Sequence, residues 1–427
     1  MKKIIFGFIV ILLFVSTFAI AESNKAFVLK IDGIIGPPVQ NYLLNNIEKA
    51  EEKDADFVLL EINTPGGLSQ SMRKISNEIM NFSLPVVGYV TPEGAHAASA
   101  GAFIMMACDI TAMTPTSSIG AAHPVNMGGK IDSTMEKKVV NDMVTYITGM
   151  AKKHNRNTEV AKDMVKESIS LTAKEAEDQN VIEFVAKSRE DLFAKLDSLE
   201  IEKNEQKYVL HTKNLEVVSH EMNIIEQFLY HISNPNIAYI LLMLGFYGIL
   251  AEFSSPGIGF AGVFGSISLL LALFALSNLP INLVGILLIF VGIILIILEV
   301  QVQSSGILGI GGVVAIILGS LMLIRSRAPF LQISLNLVLG VAIFSVLFFA
   351  LLLTLVLKAH KSKVKTGREG EVGETGYART TLAPKGKVWV RGELWNAKSA
   401  SGKIKKDEKI QVVEMDGMTL IVKPKKG

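Results

Sequence analysis

The sequence predicts an α/β domain with mainly parallel strand pairing, then a helical membrane region, then a small all-β barrel. Three observations carry this prediction. Strand-like and helix-like stretches alternate through the first half of the chain. Long apolar blocks fill residues 236–357. Short alternating segments punctuated by glycine fill residues 368–427. At 427 residues the chain exceeds one domain, since about 150 residues is a common domain size. An apolar fraction of 50% and a mean hydropathy of +0.41 place part of it in lipid. The expected division is a signal peptide at 1–21, an α/β domain at 22–230, a membrane region at 236–357 and a barrel at 368–427.

Lys2 and Lys3, an apolar core over residues 4–18 and the small-x-small site Ala19-Ile20-Ala21 read as a signal peptide. An uncleaved anchor is the alternative, and either one exports the domain that begins near residue 22. Residues 26–31 read as a first strand and 39–50 as a helix. Residues 57–62 form a buried strand that ends at Pro65-Gly66-Gly67. Met72, Ile75, Ile79 and Met80 give residues 69–80 a helical period, with Ser69 as a candidate cap. Residues 85–90 are the next strand, 98–107 the next helix and 135–153 another. Thr172 and Glu175 stand at capping-box spacing. Residues 200–220 predict a small hairpin. Residues 221–233 are amphipathic, as a stalk lying on a membrane surface would be.

The apolar region divides into five spans, 236–253, 258–277, 281–299, 305–324 and 334–357. At 1.5 Å per residue, about 20 residues cross about 30 Å of hydrocarbon. Ser254-Ser255-Pro256-Gly257, Asn278-Leu279-Pro280 and residues 301–304 are the interruptions expected between helices of a hairpin. Gly259, Gly262 and Gly265 predict close helix contact, with a re-entrant segment as the alternative. Glu252 and Glu299 fall at span ends and read as interfacial carboxylates, with an ion pathway as the lesser alternative. Lys358, His360, Lys361, Lys363, Lys365 and Arg368 outnumber Arg325 and Arg327 in the preceding loop. The positive-inside rule then puts the C-terminal barrel in the cytoplasm and the α/β domain outside it, in a multi-pass cell (inner) membrane protein. An exported domain followed by five crossings agrees with that orientation.

In the last unit, residues 386–395 alternate as a strand and turn, and 410–413 and 419–422 add two more strands. Trp389 and Trp395 read as core residues, so the barrel reads as an interaction module. A net charge of +2 gives no case for nucleic acid. A single cysteine, Cys108, excludes an intramolecular disulfide and a Cys-rich zinc site, and the seven histidines include no HExxH spacing. No metal and no cofactor is expected.

Chemistry concentrates in Thr64-Pro65-Gly66-Gly67 and Ala95-His96-Ala97-Ala98-Ser99-Ala100-Gly101. A serine hydroxyl needs a base to take its proton, and the tetrahedral intermediate needs fixed donors. Small residues around Ser99 let a peptide approach, and a glycine pair can turn N–H groups into a cleft. The candidate bases are His96, His123, Lys130, Lys137 and Lys138. His96 stands too close in sequence for its ring to face the hydroxyl. His123 reads as a loop residue. Lys138 precedes Val139 and Val140, and burial against such neighbours is what strips a lysine of its proton. A snorkelling surface lysine is the plain alternative.

Residues 57–186 resemble the ClpP/crotonase superfamily, and the whole chain resembles the long form of the NfeD family, membrane-bound serine proteases that partner with stomatin-like proteins. The matching runs are Asn63-Thr64-Pro65-Gly66-Gly67, residues 94–101, Ser117-Ser118-Ile119-Gly120-Ala121, Lys138-Val139-Val140-Asn141 and residues 170–176. Residues 386–397 resemble that family's OB-type barrel. The resemblance implies a Ser–Lys dyad of Ser99 and Lys138, with Gly67 and Ala100 donating to the oxyanion. It implies a substrate cleft that includes Gly66, Leu68, Ser118, Ile119 and Gly120. His96 departs from the family pattern, which has a small residue there, and Lys137 is the alternative base. The implied substrate is a hydrophobic peptide segment, and the implied partner a stomatin-like membrane protein. A homodimer is expected to order the cleft. Two other readings remain. One is a non-catalytic scaffold for stomatin- or flotillin-like proteins. The other is an acyl-CoA enzyme, disfavoured by export and by the lack of a carboxylate pair near the glycines.

Overall fold

The computed structural model describes residues 24–125, 133–254, 259–302, 306–324, 326, 328–361 and 368–425. The expected signal peptide, Lys130, Arg325, Arg327, Lys363, Lys365 and most of the interruptions before residues 259 and 306 lie outside the described residues. The chain forms two compact units, 1–343 and 344–427.

The first unit opens with β1 (Lys25–Asp32), α1 (Pro37–Ile47), β2 (Phe57–Asn63), α2 (Ser69–Asn81) and β3 (Val86–Val90). Next come β4 (His96–Ala98), α3 (Ala100–Ala107), β5 (Ile110–Met113), β6 (Ser118–Gly120) and α4 (Ser133–Lys153). Then follow α5 (Thr158–Lys166), β7 (Ser170–Thr172), α6 (Ala173–Asp178), β8 (Phe184–Val185) and α7 (Arg189–Leu196). The hairpin β9 (Glu200–Lys203) and β10 (Gln206–Val209), strand β11 (Glu216–Ser219) and helix α8 (Ile224–Ile232) complete the domain.

A six-stranded sheet in the order β11-β1-β2-β3-β5-β8 is parallel throughout. Its strands read as near-continuous apolar runs because both faces are covered. The period of two separates them cleanly. Phe27, Leu29, Ile31, Val58, Leu60, Ile62 and Val90 enter one core, with α1 to α6. Ala26, Val28, Phe57, Leu59, Val87 and Tyr89 enter the other, with Leu192 and Leu196 of α7. A second sheet, β4-β6-β7, stands at the C-terminal end of the main one. This is the α/β architecture that the ClpP/crotonase resemblance implies.

Three local expectations change. Ser69 is the first residue of α2, and Leu68 holds the N-cap position with no side-chain cap. Residues 98–107 are not one helix, because His96–Ala98 pairs as β4 and the helix begins only at Ala100. Residues 200–220 are more than a hairpin, since β11 leaves β9 and β10 to extend the main sheet beside β1. The capping box of Thr172 and Glu175 is present, with both reciprocal bonds.

The membrane region has helices α9 (Pro235–Ser254), α10 (Phe260–Ser277), α11 (Leu283–Val302), α12 (Ile307–Met322) and α13 (Leu335–Lys361). By length and apolarity two described stretches, Pro235–Phe253 and Phe260–Ser277, suffice to cross a bilayer. Leu283–Glu299, Ile307–Met322 and Leu335–Leu351 are shorter apolar helices. The glycines act in helix packing. A Cβ on Gly248 would stand 2.7 Å from Gly265 Cα, so α9 and α10 touch backbone to backbone. Gly292 and Gly312 bring α11 and α12 together in the same way.

The two hairpins repeat one device. Glu252 accepts N–H bonds from Gly259 and Gly262 at 3.2 and 3.1 Å. Glu299 accepts them from Gly306 and Gly309 at 2.9 and 3.2 Å. Each carboxylate thus caps the N-terminus of the following helix, where orphan donors and the positive dipole end favour it. This role accounts for both glutamates.

The second unit contains a closed barrel of β12 (Thr375–Ala378), β13 (Lys385–Val390), β14 (Glu393–Ser399), β15 (Lys409–Asp416) and β16 (Thr419–Pro424). Its order is β12-β13-β14-β16-β15. Val388, Val390, Ala397, Ile410, Val412, Leu420 and Val422 fill it. Trp395 packs on that core, but Trp389 does not join it. Trp389 is 39% exposed, pairs across the strands with Tyr377 and lies under the Arg379 guanidinium at 5.6 Å. The strand alternation puts Val388 and Val390 inside, and so turns Trp389 outward.

Candidate active site

β2 ends where Thr64 pairs with Ala97 of β4, and the chain then turns through Gly66 and Gly67 beside the start of α3. The Thr64 hydroxyl holds the turn, accepting from Gly66 N–H at 3.1 Å and donating to the Gly66 carbonyl at 3.1 Å. Gly66 has φ +119, and a Cβ there would fall 2.7 Å from Ser99 Cβ. Only glycine meets both demands.

Ser99 joins β4 to α3 at the N-cap position, with φ +52 and ψ −112. A non-glycine residue in such a conformation is strained, by about 1–3 kcal/mol. Its neighbours hold it there. Its N–H donates to the Gly120 carbonyl at 2.9 Å, and its carbonyl accepts from Ala102 at 3.0 Å. A sharp strand-to-helix turn of this kind thrusts a serine Oγ out of the fold.

Ser99 opens onto a small cleft, about 260 Å3 of space with open solvent included, lined by Gly67, Ser69, Met72, Ala100, Phe103, Ala122, Pro124 and Met143. Ile35 bonds to the residues on either side of Gly67, donating to the Gly66 carbonyl at 2.9 Å and accepting from Leu68 at 2.8 Å. In a parallel bridge that pattern turns the middle residue's N–H away, here towards the cleft. Ala100 is the first residue of α3, so its N–H has no helical acceptor. Among the described residues neither N–H has a protein acceptor. Gly67, Ala100 and Ser99 thus line one cleft, and the positive dipole end of α3 lies at the serine.

The other sequence candidates fall in three places. Ser118, Ile119 and Gly120 form β6, which backs Ser99 rather than lining the cleft. Leu68 lines a neighbouring cavity. His96 lies in β4 with its carbonyl bonded to Thr64 N–H, and His123 bonds through Nδ1 to the Val165 carbonyl at 2.8 Å.

Lys138 and Lys137 are exposed on α4, so the partial burial expected for Lys138 is absent here. Among the described residues Lys138 has no bond to Ser99. Helix geometry explains this. Met143 faces the cleft, and a residue five positions earlier lies about 140° around the helix and about 7.5 Å back along it. Arg73 fixes that register by pairing with Asp142 and stacking 4.5 Å from the Tyr146 ring centre. Tyr146 also donates to Asn77 at 2.9 Å.

Sequence reasoning missed Ser69, Met72, Phe103, Ala122, Pro124 and Met143 as cleft walls. The one signal in the sequence is the helical spacing of Val139, Val140, Met143, Val144, Ile147 and Met150, which puts Met143 on the inward face of α4. Cys108 is wholly buried, and burial pushes its thiol up to about 12, which leaves it inert.

A parallel α/β domain with a small-residue cleft, a run of membrane helices and a closed C-terminal barrel together define one class of three-part membrane protein. Residues 25–216 match the N-terminal domain of NfeD1b, 236–355 the NfeD integral membrane domain and 368–424 the NfeD-like C-terminal, partner-binding domain. The chain is 33% identical to membrane-bound protease PH1510 of Pyrococcus horikoshii, over 99% of this chain and 98% of that one. It is 28% identical to membrane protein NfeD1b of Bacillus subtilis, over 97% and 96%. A solved structure, the 1510-N membrane protease specific for a stomatin homolog from Pyrococcus horikoshii, is 29% identical. It covers 49% of this chain and 98% of its own, with a TM-score of 0.44. The chain belongs to the NfeD family.

Proposed function

We propose that this protein is a membrane-anchored serine endopeptidase that cleaves hydrophobic segments of membrane-associated proteins. The observation that carries the reading is Ser99, held in a strained elbow beside the N–H groups of Gly67 and Ala100, which among the described residues have no protein acceptor. The relationship to a membrane-bound protease along the whole chain supports it. Ser99 Oγ attacks the scissile carbonyl carbon while Lys138, as an uncharged amine, takes the hydroxyl proton. Gly67 and Ala100 N–H hold the resulting oxyanion. Lys138 returns the proton to the leaving amine, and water then hydrolyses the acyl-enzyme.

Lys138 must reach Ser99 for this chemistry. The first turns of α4 are exposed, so a rotation of those turns, or a second copy packed on them in a homodimer, supplies the approach and the burial. The division at 1–21, 22–230, 236–357 and 368–427 is part of the proposal, as is a five-span topology with the α/β domain outside the cytoplasm and the barrel inside. The match of residues 368–424 to a partner-binding domain supports docking of a stomatin-like protein there. The family resemblance supplies the identity of that partner.

Ser99→Ala and Lys138→Ala should each abolish cleavage of an apolar peptide, and retained cleavage in both rejects the dyad. The exposure of Lys138 favours a second reading, a non-catalytic scaffold for stomatin- or flotillin-like proteins. Labelling of Ser99 by a fluorophosphonate probe separates the two, since a scaffold leaves that hydroxyl unreactive.

A further inference from the structure

A second cavity lies between the α/β domain and the membrane helices, and it opens about 520 Å3 of space, solvent included. Its apolar wall comes from Ile34, Pro37, Pro38, Leu68, Leu279 and Leu331. All of these residues lie within the one compact unit of residues 1–343. Leu279 belongs to the turn between α10 and α11, and Leu331 to the segment before α13. The cavity is therefore closed on one side by ends of membrane helices.

We propose that this cavity is a specificity subsite that takes an apolar side chain of the peptide substrate, within a residue or two of the scissile bond. The inference rests on the peptidase reading of Ser99. Continuity is the first argument. Leu68 lines this cavity, and Gly67, the residue before it, lines the Ser99 cleft. The two spaces share the Gly67–Leu68 segment as a wall, so a peptide bound across that segment meets both.

Position is the second argument. An apolar segment drawn out of a bilayer passes the helix ends first, and those ends supply Leu279 and Leu331. The third argument is polar complementarity. Asn234 and Asn278 also line the cavity. Asn234 uses Oδ1 to accept from Asn236 N–H at 2.9 Å, and among the described residues its amide N–H groups have no partner. Asn278 donates its amide to the Phe274 carbonyl at 3.3 Å, and among the described residues its Oδ1 has no partner. One donor and one acceptor beside an apolar wall match a peptide unit, and a lipid acyl chain offers neither. Tyr230 stiffens the same wall by donating to the Asp32 carbonyl at 2.7 Å.

The test uses the full chain in detergent micelles and a fluorogenic apolar peptide. Leu279→Trp fills the cavity, and kcat/KM should fall about 10- to 100-fold, chiefly through KM, as the burial of one apolar side chain is lost. Unchanged kcat/KM overturns the subsite. A trapping experiment covers the case in which that variant fails to fold. In a Ser99→Ala chain, the thiol of Leu279→Cys should displace thiopyridone from peptides that carry one cysteine, activated as its 2-pyridyl disulfide, at scanned positions. A control at Lys207→Cys, on the exposed β10 strand, should not. Equal trapping at the two sites overturns the proposal, as does a cavity that protects position 279 with lipid and traps no peptide. Cleavage that survives Ser99→Ala instead defeats the peptidase reading, so the two failures are distinguishable.

Discussion

Ser99 and Gly66 depend on each other. The serine keeps its strained backbone because Gly120 and Ala102 bond it on both sides, and Gly66 leaves room for its Cβ. Gly66→Ala meets a left-handed φ and a 2.7 Å contact at once. We expect it to lower stability by about 1–3 kcal/mol and kcat/KM for an apolar peptide by tenfold or more, read by thermal unfolding and by peptide kinetics. His154 offers a pH test. Burial pushes its imidazole down to about 3 from the usual 6.5, with the charges of Arg156, Lys153 and Lys203 adding to the effect. Between those values the unfolded chain binds a proton that the folded chain does not, so stability rises with pH. The contribution is complete above about 6.5 and is lost as pH falls towards 3. His154→Leu should flatten the dependence of the α/β domain's Tm on pH over that window. The small residues of the site were legible because their smallness is itself the signal. The setting of Lys138 was not, because it depends on the rotation of α4 about the Arg73 contacts, which no local pattern encodes.

Secondary elements were legible wherever burial imposed a period. The β2 run, the helical spacing of α2 and the capping box of α6 follow from local rules. Strand β4 and the edge strand β11 did not, since three or four residues carry too little periodicity and their partners are distant in sequence. Distant pairing also hides the ion pair between Lys203 of β9 and Asp109, with side chains 0% and 3% exposed. Lys203 Nζ donates to Asp109 at 2.7 Å and to the Ile79 and Leu84 carbonyls at 3.0 and 2.8 Å. Asp109→Ala strands a buried ammonium, and we expect a loss of about 3–5 kcal/mol in denaturant unfolding of the α/β domain. In the membrane hairpins, Gly248→Leu forces α9 and α10 apart at their backbone contact. A loss of about 1–3 kcal/mol, seen as a lower Tm in detergent, is the expected result.

Across the whole molecule, the three-part organisation was the easiest feature to read, because each part answers to a different solvent. Lipid selects long apolar runs, a doubly covered sheet selects buried strands, and a small barrel selects alternation with glycine turns. The cavity walled by Ile34, Leu68 and Leu279 was invisible, since it draws on segments more than 200 residues apart, as their numbering shows. The barrel turns Tyr377, Trp389 and Arg379 outward, as an exposed aromatic and cationic patch. Deletion of residues 368–427 should leave cleavage of a short apolar peptide intact while abolishing co-purification with a stomatin-like protein. Loss of both together would mean that the barrel contributes to folding of the rest.

The paired glutamate caps carry one last consequence. Glu252 with Gly259 and Gly262, and Glu299 with Gly306 and Gly309, place one acid seven and ten positions before its two glycines. In the proposed five-span topology each such unit would cross and return, bringing the polypeptide back to the side it left. A lineage can therefore gain or shed a whole unit without transposing the domain downstream. In that same topology the final helix, α13, which belongs to neither unit, would be the piece whose loss inverts the tail.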